Sequence, residues 1–507
     1  MENSHYFPRP AQIVALGIIL LIAAALRIHG IGLQCLTNDE LGSMAIAAGR
    51  GEVDLTLPRG VLLTSPPATT LAGGDSILHV PAGLRQDVHP PLYFLLLRLW
   101  QDIFGDGDGV SRALSTAAGL VGIVLIFDLG RLLADADTGL CAAMLMAVAQ
   151  PQIAYAQDAR PYALLAAFML GAADALVRME RLGPSRRRTA SLAVCIAAAC
   201  LTHYFALPAI AALAIYTALP RCRRARKSAW MAFVSAGLFV LLVWGRGMWI
   251  QRTNFSDPWM FWFNEELDHH ALAMLWRMSV LPARFLAEPP AATASIALGA
   301  GVCYVLPWLR VRRRPGIVLP GISLLACAGF IGGLDLYRGT RQIDWIKYSL
   351  LGAAGVYLII PMLIDRRWLR LVLTALIAIS CLPTAFHIDK DAAGSLNQIA
   401  ARLDQVRGPD DVIILMAPEP GMLGRWVTGN YYLGLERYCR KMPTEVVLMQ
   451  EPASQQLLDA LHGRHCWLIG PTNPGWPEEF MPGWKPQQTM PFPPTAALYK
   501  WEEKSDR

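Results

Sequence analysis

Two adjacent carboxylates, Asp39 and Glu40, directly follow the first apolar segment of the chain, which runs from Ala11 to about Leu33. A segment of that length can cross the hydrocarbon core of a bilayer. Charged side chains beside a membrane-spanning helix are costly unless they face water or a partner, so an acidic pair here is a functional hypothesis by default. One of these carboxylates could take a proton from an attacking hydroxyl within hydrogen-bond distance.

Two further stretches carry side chains suited to the same chemistry. Residues 89–93 read HPPLY, and residues 155–162 read YAQDARPY. The arginine of the second stretch, Arg160, could hold a phosphate through two parallel hydrogen bonds. A pocket that combines carboxylates, a histidine and an arginine beside lipid suits a reaction on an amphiphilic substrate. The three stretches therefore form one candidate site if the fold brings them to the same membrane face.

The composition predicts an α-helical membrane protein with many spans. The 507 residues are 54% hydrophobic and 17% charged, the mean hydropathy is +0.36, and apolar runs of about 18 residues recur along most of the chain. The net charge of +6 comes from basic residues in short loops, which is typical of membrane topology rather than of a nucleic-acid partner. The first apolar segment has almost no positive region before it, so we expect an uncleaved span rather than a signal peptide.

Four basic clusters predict the topology. They lie at residues 178–188, 221–227, 310–314 and 366–370, and the apolar sequence between successive clusters is enough for two spans. By the positive-inside rule all four clusters are cytoplasmic, which places the three candidate stretches on the extracytoplasmic face. The apolar segment His89–Phe104 is short and contains an arginine, so we predict an interfacial helix in the first outer loop.

Counting from these clusters predicts eleven transmembrane helices, with a second interfacial helix at Ala271–Leu286. The predicted spans are Ala11–Leu33, Arg112–Leu133, Gly139–Ile153, Pro161–Val177, Ser191–His203, Phe205–Leu219, Ala229–Ile250, Ala291–Leu309, Gly316–Gly333, Ile346–Ile364 and Trp368–Phe386.

The composition changes after the last span, which predicts two domains: a transmembrane core, residues 1–386, and a soluble extracytoplasmic domain, residues 387–507. In the second, short apolar runs alternate with helical patterns, which predicts a small α/β domain. Cys439 and Cys466 lie there and could form a disulfide in an oxidising compartment. The predicted elements are strands at Val412–Met416, Val446–Met449 and Cys466–Ile469, and helices at Leu396–Val406 and Ser454–Leu461.

Taken together, these motifs resemble the polyprenyl-phosphate-dependent glycosyltransferases of the GT-C class. That class includes bacterial relatives of the protein O-mannosyltransferases and the lipid A aminoarabinose transferase. The matching pieces are the Asp-Glu pair after the first span, HPPLYF followed by LRLW, SRALSTAAGL, YAQDARPYALL and THYFAL. They cover roughly the first 210 residues in the order and spacing of the family.

The resemblance implies roles for particular residues. Asp39 is the candidate catalytic base with Glu40 beside it, and Asp158 supports the acceptor or a divalent cation that it could share with Asp39. Where the family has an Arg-Tyr pair before a late span, this chain has a Lys-Tyr pair with two arginines just upstream. Lysine keeps the charge but lacks the two-pronged geometry of arginine, which leaves the phosphate ligand open. The implied substrate-binding residues are His89, Tyr93, Arg160, Tyr162, His203, Arg338, Arg341, Lys347 and Tyr348.

The implied reaction transfers a sugar, a hexose or a pentose, from a polyprenyl-phosphate donor to an acceptor hydroxyl with inversion. The resemblance places it on the periplasmic face of a bacterial inner membrane. Nothing resembles the extra sugar-binding modules of eukaryotic protein mannosyltransferases, which favours a lipid or glycan acceptor over a protein. No cofactor is certain, although a divalent cation could take part. Neither a phosphate-binding Walker loop nor a dinucleotide-binding glycine motif occurs, in keeping with a lipid-linked donor.

Several candidate residues also have a purely structural interpretation. Asn38 or Asp39 could cap an interfacial helix. His89 could be a turn residue before two prolines, and Asp158 could simply pair with Arg160. The basic residues near the late span could be ordinary interfacial side chains that reach toward water.

Three other functional hypotheses remain open. A transporter or lipid flippase would also have many spans and a few membrane charges, although internal repeats and broken mid-membrane helices would be expected. A membrane scaffold that binds partners through its C-terminal domain would leave the three polar stretches unexplained. A metal site at Asp268-His269-His270 would require adjacent histidines to bind one ion, which is uncommon.

Overall fold

The structure, a computed structural model, is mainly helical. It describes residues 8–85, 87–254, 271–287, 301–385, 396–417, 419, 421–471, 480–492 and 496–503. Up to residue 385 the α-helices are α1 Pro10–Ile28, α2 Asn38–Ala47, α3 Val53–Thr56, α4 Val80–Gly83, α5 Leu92–Phe104, α6 Asp108–Leu133, α7 Ala136–Val148, α8 Gln150–Ala154, α9 Tyr162–Leu182, α10 Arg186–Thr202, α11 Ala206–Ala218, α12 Arg226–Asn254, α13 Ala271–Arg284, α14 Leu306–Arg310, α15 Val318–Arg338, α16 Ala353–Met362 and α17 Arg367–Ala385.

The remaining helices follow residue 395, and the strands come from both parts of the chain. The helices are α18 Leu396–Val406, α19 Gly421–Tyr438 and α20 Gln455–Leu461. The strands are β1 Leu62–Thr64, β2 Val412–Met416, β3 Glu445–Met449, β4 Cys466–Pro471, β5 Trp484–Phe492 and β6 Ala496–Glu503.

Several helices are long and apolar enough to cross a membrane, which confirms a helical membrane protein. The prediction of eleven spans is not tested, since the predicted span Ala291–Leu309 lies partly outside the described residues. Within the described residues the five long apolar helices are Pro10–Ile28, Asp108–Leu133, Tyr162–Leu182, Arg226–Asn254 and Pro315–Arg338, and the shorter ones are Ala136–Val148, Ala206–Ala218 and Leu350–Met362.

Two predicted spans are interrupted in the structure. The span Gly139–Ile153 is divided between α7 and α8, with Pro151 in the first turn of α8. The span Ile346–Ile364 begins as short 3-10 turns, and the α-helix starts only at Ala353. Asp335 fixes the loop before this segment, because its carboxylate accepts hydrogen bonds from the backbone N–H groups of Gln342 (2.9 Å) and Ile343 (2.7 Å).

The candidate stretches and the predicted basic clusters that include Arg178 and Arg370 lie at opposite ends of the bundle. One end combines the end of α1 with the starts of α6 and α9 and the loop before α16, and it holds the candidate stretches. At the other end arginines pair with acids, for example Arg178 with Asp174 and Arg370 with Asp135. This separation agrees with the predicted topology, in which the basic clusters and the candidate stretches lie on opposite faces of the membrane.

A glycine permits the close contact between α6 and α7. A Cβ atom at residue 139 would overlap the backbone carbonyl oxygen of Phe127. We therefore expect Gly139→Ala to lower the free energy of unfolding by about 1–3 kcal/mol, because the tightly packed helices must move apart. Thermal unfolding of the detergent-solubilised protein would measure this change.

Gly329 provides the matched control. It lies inside α15, and a Cβ atom there would meet nothing within 4 Å. Gly329→Ala should stabilise the helix by about 0.5–1 kcal/mol through its effect on backbone entropy. Equal effects of the two substitutions would contradict the packing argument.

The six strands form one mixed sheet in the order β1-β3-β2-β4-β6-β5. The central β2 is parallel to β3 and β4, and the flanking pairs are antiparallel. The three predicted strands and two predicted helices of this region are confirmed. Helix α19 and strands β5 and β6 were not predicted.

Strand β1 comes from the segment between α1 and α6, far from the rest of the sheet in sequence. Leu62, Leu63 and Thr64 pair with Val447, Val446 and Glu445 of β3. The sheet thus includes residues from both sides of the predicted boundary at residue 386, and the division into two domains remains a prediction.

The predicted disulfide between Cys439 and Cys466 is wrong for this structure, in which both are free thiols. Cys466 is buried in the core on one face of the sheet, together with Leu468. Cys439 packs against the larger core that includes Trp467 and Ile469, the alternate residues of the same strand. The two sulfurs therefore belong to opposite faces of the sheet.

Candidate active site

A capping box at the start of α2 sets the position of Asp39. The Thr37 hydroxyl accepts a hydrogen bond from the backbone N–H of Glu40 (3.3 Å), and the Glu40 carboxylate accepts one from the backbone N–H of Thr37 (2.8 Å). The cap is therefore Thr37 rather than Asn38 or Asp39. The Asp39 side chain is not used in this cap, and it is 45% exposed.

Glu40 is buried and holds three parts of the chain together. Its carboxylate accepts two hydrogen bonds from Arg112, from Nε and Nη2, both at 2.7 Å. It also accepts one from the backbone N–H of Ala159 at 2.8 Å. Because its acceptor sites are occupied in this way, its contacts fit a positioning role rather than the catalytic role that we predicted.

Arg160 connects the three candidate stretches. Its Nη1 donates to the backbone oxygen of Asp39 (3.0 Å) and to the Ser43 hydroxyl (3.1 Å), and its Nη2 donates to Nε2 of His89 (3.2 Å). The guanidinium is directed to α2 and His89 rather than to Asp158, contrary to the alternative of a local pair. Its buried Nε has no hydrogen-bond partner in the part of the chain that the structure describes.

His89 is held in one tautomer by its two neighbours. Since Nε2 accepts from Arg160, Nδ1 carries the proton and donates to the Asp87 carboxylate at 2.6 Å. Burial alone would raise the pKa of Asp87, but His89 and Arg160 lower it below its ordinary value. Asp87 was missed in the sequence, although its spacing of two residues from His89 could have indicated it.

Lys347 reaches the site from the loop after α15. Its Nζ donates to Oδ2 of Asp39 at 3.0 Å. The ammonium lies 6.0 Å from the ring centroid of Tyr162, 5.2 Å from that of Trp345 and 5.4 Å from that of Tyr348, distances at which aromatic faces attract a cation. The structure therefore brings together Lys347, Tyr348, Tyr162 and Asp39.

The other two candidate cations have different environments. Arg338 is exposed in the last turn of α15, and Arg341 pairs with Asp344 at 3.1 Å. Of the three residues, Lys347 is the one that the structure places against Asp39. The predicted roles of Arg338 and Arg341 in substrate binding thus receive no support from their contacts.

Tyr93 and His203 are both buried. The Tyr93 hydroxyl is within hydrogen-bond distance of the Ser115 hydroxyl (3.1 Å), a contact that fits core packing, and its role in substrate binding stays a prediction. Nδ1 of His203 accepts a hydrogen bond from the backbone N–H of Phe205 (3.0 Å), and its ring packs 5.0 Å from that of His89. These contacts fit a structural role for His203 at the wall of the site, and its role in substrate binding stays a prediction.

The pKa values of the two candidate carboxylates are shifted in opposite directions. Partial desolvation opposes ionisation of Asp39, but the charges of Arg160 and Lys347 overcome it and hold its pKa below the ordinary value. Burial and the negative charge of Glu40 raise the pKa of Asp158. Such opposite shifts are typical of sites that use two acids differently.

A bound cation remains a prediction. Oδ1 of Asp158 is buried without a hydrogen-bond partner among the described residues, as an unused ligand would be. Within the same ranges, however, no three His, Cys, Asp or Glu side chains are placed to share an ion. The hypothetical metal site at Asp268-His269-His270 lies outside the described residues.

Fold and site together define a polytopic membrane protein with a charged site at one end of its helical bundle. Residues 88–249, about a third of the chain, match the family model described as dolichyl-phosphate-mannose-protein mannosyltransferase. This match includes His89, Asp158 and His203 but neither Asp39 nor Lys347. No curated protein matches the sequence.

Solved structures have the same fold. ArnT from Cupriavidus metallidurans in the apo state superposes with a TM-score of 0.58 at 12% identity, covering 97% of this chain and 98% of that chain. The same enzyme bound to undecaprenyl phosphate gives a TM-score of 0.55 at 12% identity and the same coverage. The apo oligosaccharyltransferase from Archaeoglobus fulgidus gives 0.51 at 12% identity, covering 91% and 69%. The resemblance to the GT-C glycosyltransferases is thereby confirmed, with the fold as its basis.

Proposed function

We propose that the protein is a membrane glycosyltransferase that uses a polyprenyl-phosphate sugar. The observation that carries this proposal is the contact between Asp39 and Lys347, which joins an exposed carboxylate to a cation across 308 positions of sequence. A base and a phosphate ligand side by side are what transfer from a lipid phosphate requires. The similarity to ArnT bound to undecaprenyl phosphate supports this donor class.

In the proposed reaction the acceptor hydroxyl gives its proton to Asp39. Its oxygen forms a bond to the anomeric carbon of the sugar from the side opposite the phosphate. The bond between that carbon and the phosphate oxygen breaks, and the electron pair leaves with polyprenyl phosphate. Lys347 stabilises the negative charge on the departing phosphate, an electrostatic contribution that is often the largest in catalysis.

The proposal also includes the location and the acceptor. We infer that the site and the C-terminal domain, residues 387–507, lie on the periplasmic face of a bacterial inner membrane, and that residues 1–386 form the transmembrane core. The acceptor is a hydroxyl of a lipid or of an envelope glycan. The basic end of the bundle, opposite the site, supports this orientation.

The test is turnover of a panel of undecaprenyl-phosphate sugars by the purified full-length protein with an envelope extract as acceptor. Mass spectrometry should detect free undecaprenyl phosphate and a glycosylated product for one sugar of the panel. Absence of turnover for every sugar, together with movement of lipid across vesicles that contain the protein, would contradict the proposal and favour a flippase.

A further inference from the structure

Asp39 and Lys347 are hydrogen-bonded to each other, although the proposed reaction gives each of them a different partner. In the proposed function, which this inference presupposes, Asp39 must accept a proton and Lys347 must bind a phosphate. In the structure the lysine ammonium is hydrogen-bonded to the aspartate instead. We infer that the donor phosphate and Asp39 compete for Lys347, so that donor binding releases the base and must precede activation of the acceptor.

The two residues are anchored independently of their contact. Arg160 holds the backbone of Asp39, and the first turn of α2 is closed by its capping box. Lys347 lies in a 3-10 turn of the loop that Asp335 fixes at the end of α15. Breaking the contact therefore leaves both side chains in the site.

The contact is also accessible and replaceable. The side chain of Asp39 is 45% exposed and that of Lys347 is 16% exposed, so a ligand can reach the pair from the aspartate side. Partly exposed ion pairs contribute little stability, and a phosphate forms strong charge-assisted hydrogen bonds. The rings of Trp345 and Tyr348 keep the ammonium in place when the carboxylate is displaced.

Replacement of Asp39 by the donor phosphate at Lys347 would determine the order in which donor binding and acceptor activation occur. While Lys347 neutralises Asp39, the carboxylate is a poor proton acceptor, and an acceptor hydroxyl beside it is not activated. When the donor phosphate binds the ammonium of Lys347, Oδ2 of Asp39 loses its hydrogen-bond donor. It can then accept the proton of the acceptor hydroxyl. The lysine thus couples occupancy of the donor site to the strength of the base.

The experiment measures binding of undecaprenyl phosphate to the purified full-length protein and three variants. We expect Asp39→Asn to bind about fivefold more tightly than the wild type, because the phosphate no longer competes with a carboxylate. Lys347→Met should bind about tenfold more weakly. In the Lys347→Met background, adding Asp39→Asn should change the affinity less than twofold, since the competition has been removed.

Two controls separate this mechanism from simple charge effects. Asp75→Asn removes one exposed carboxylate elsewhere and should leave the affinity unchanged. Lys347→Arg retains a cation, and Asp39→Asn should still tighten binding in that background, which covers the case in which Lys347→Met does not fold. Equal tightening by Asp39→Asn with and without Lys347, or no tightening at all, would overturn the inference alone. Failure of the wild type to bind undecaprenyl phosphate would overturn the proposed function together with the inference.

Discussion

Replacing Asp39 by asparagine should lower kcat for sugar transfer by about 10²–10⁴-fold, the usual contribution of a positioned general base. The amide is nearly isosteric with the carboxylate but cannot accept the acceptor proton. Its backbone hydrogen bond from Arg160 is unaffected, so the site should retain its shape. Release of polyprenyl phosphate at saturating donor would measure kcat, and thermal unfolding would verify that the variant is folded.

Asp158→Asn is the informative comparison, because it changes the other candidate carboxylate of the same site. Oδ1 of Asp158 is buried, whereas the Asp39 side chain is 45% exposed, so an acceptor hydroxyl can reach Asp39 more readily. We expect a smaller loss of kcat for this variant than for Asp39→Asn. The opposite ranking would assign the base to Asp158, and retention of more than about a tenth of kcat by Asp39→Asn would contradict its role.

The second large effect concerns stability rather than catalysis. Arg112→Met should lower the free energy of unfolding by about 3–5 kcal/mol, because it leaves the buried carboxylate of Glu40 without its cation. The side chains of Arg112 and Glu40 are only 3% and 1% exposed. Arg112 also donates to the backbone oxygens of Ile31, Gln34 and Cys35, which would lose these hydrogen bonds. The thermal unfolding temperature in detergent would report the loss.

An exposed ion pair provides the control for this prediction. Arg310 pairs with Asp365 at 2.8 Å, and their side chains are 37% and 62% exposed. Arg310→Met should lower the unfolding temperature much less than Arg112→Met, because an exposed ion pair contributes little stability. Adding Glu40→Gln to Arg112→Met should recover part of the lost stability, since no charge then remains buried. Similar losses for Arg112→Met and Arg310→Met would show that burial does not determine the effect.

The sequence was sufficient to predict which stretches meet in the site. Polar residues at the ends of successive apolar segments lie on a membrane face that the basic clusters determine, so the HPPLY and YAQDARPY stretches could be placed opposite Asp39. The structure brings His89 and Arg160 into direct contact, as that argument requires. Counting the spans between the stretches is enough to predict that they share one membrane face, and the packing of the helices need not be known.

Individual roles within the site were harder to predict, because they depend on pairings distant in sequence. Glu40 looks like a second catalytic acid until Arg112, 72 residues later, is seen to bind it. In the sequence, Asp335 is an acid within an apolar helix and has no evident partner. The structure shows that its carboxylate closes the loop that carries Lys347. Neither pairing leaves a local signal in the sequence.

Prediction of the strands was limited in a similar way, since only the buried strands have a clear pattern in the sequence. The buried strands β2, β3 and β4 could be recognised as continuous apolar runs. Strand β5 contains Pro486 and Pro491, which are unfavourable in central strands, and it lies at the edge of the sheet. Strand β1 has only three residues, too few for any periodicity to appear.

The pairing of β1 with β3 also has a consequence for biogenesis. Thr64 is translated 381 positions before its partner Glu445, which at ordinary elongation rates corresponds to a delay of about 20–80 s. During this time β1 has been made, but its partner strand β3 has not yet been synthesised. Completion of the sheet is therefore one of the last steps in maturation of the chain, and every nascent molecule passes through a period in which its β1 strand is unpaired.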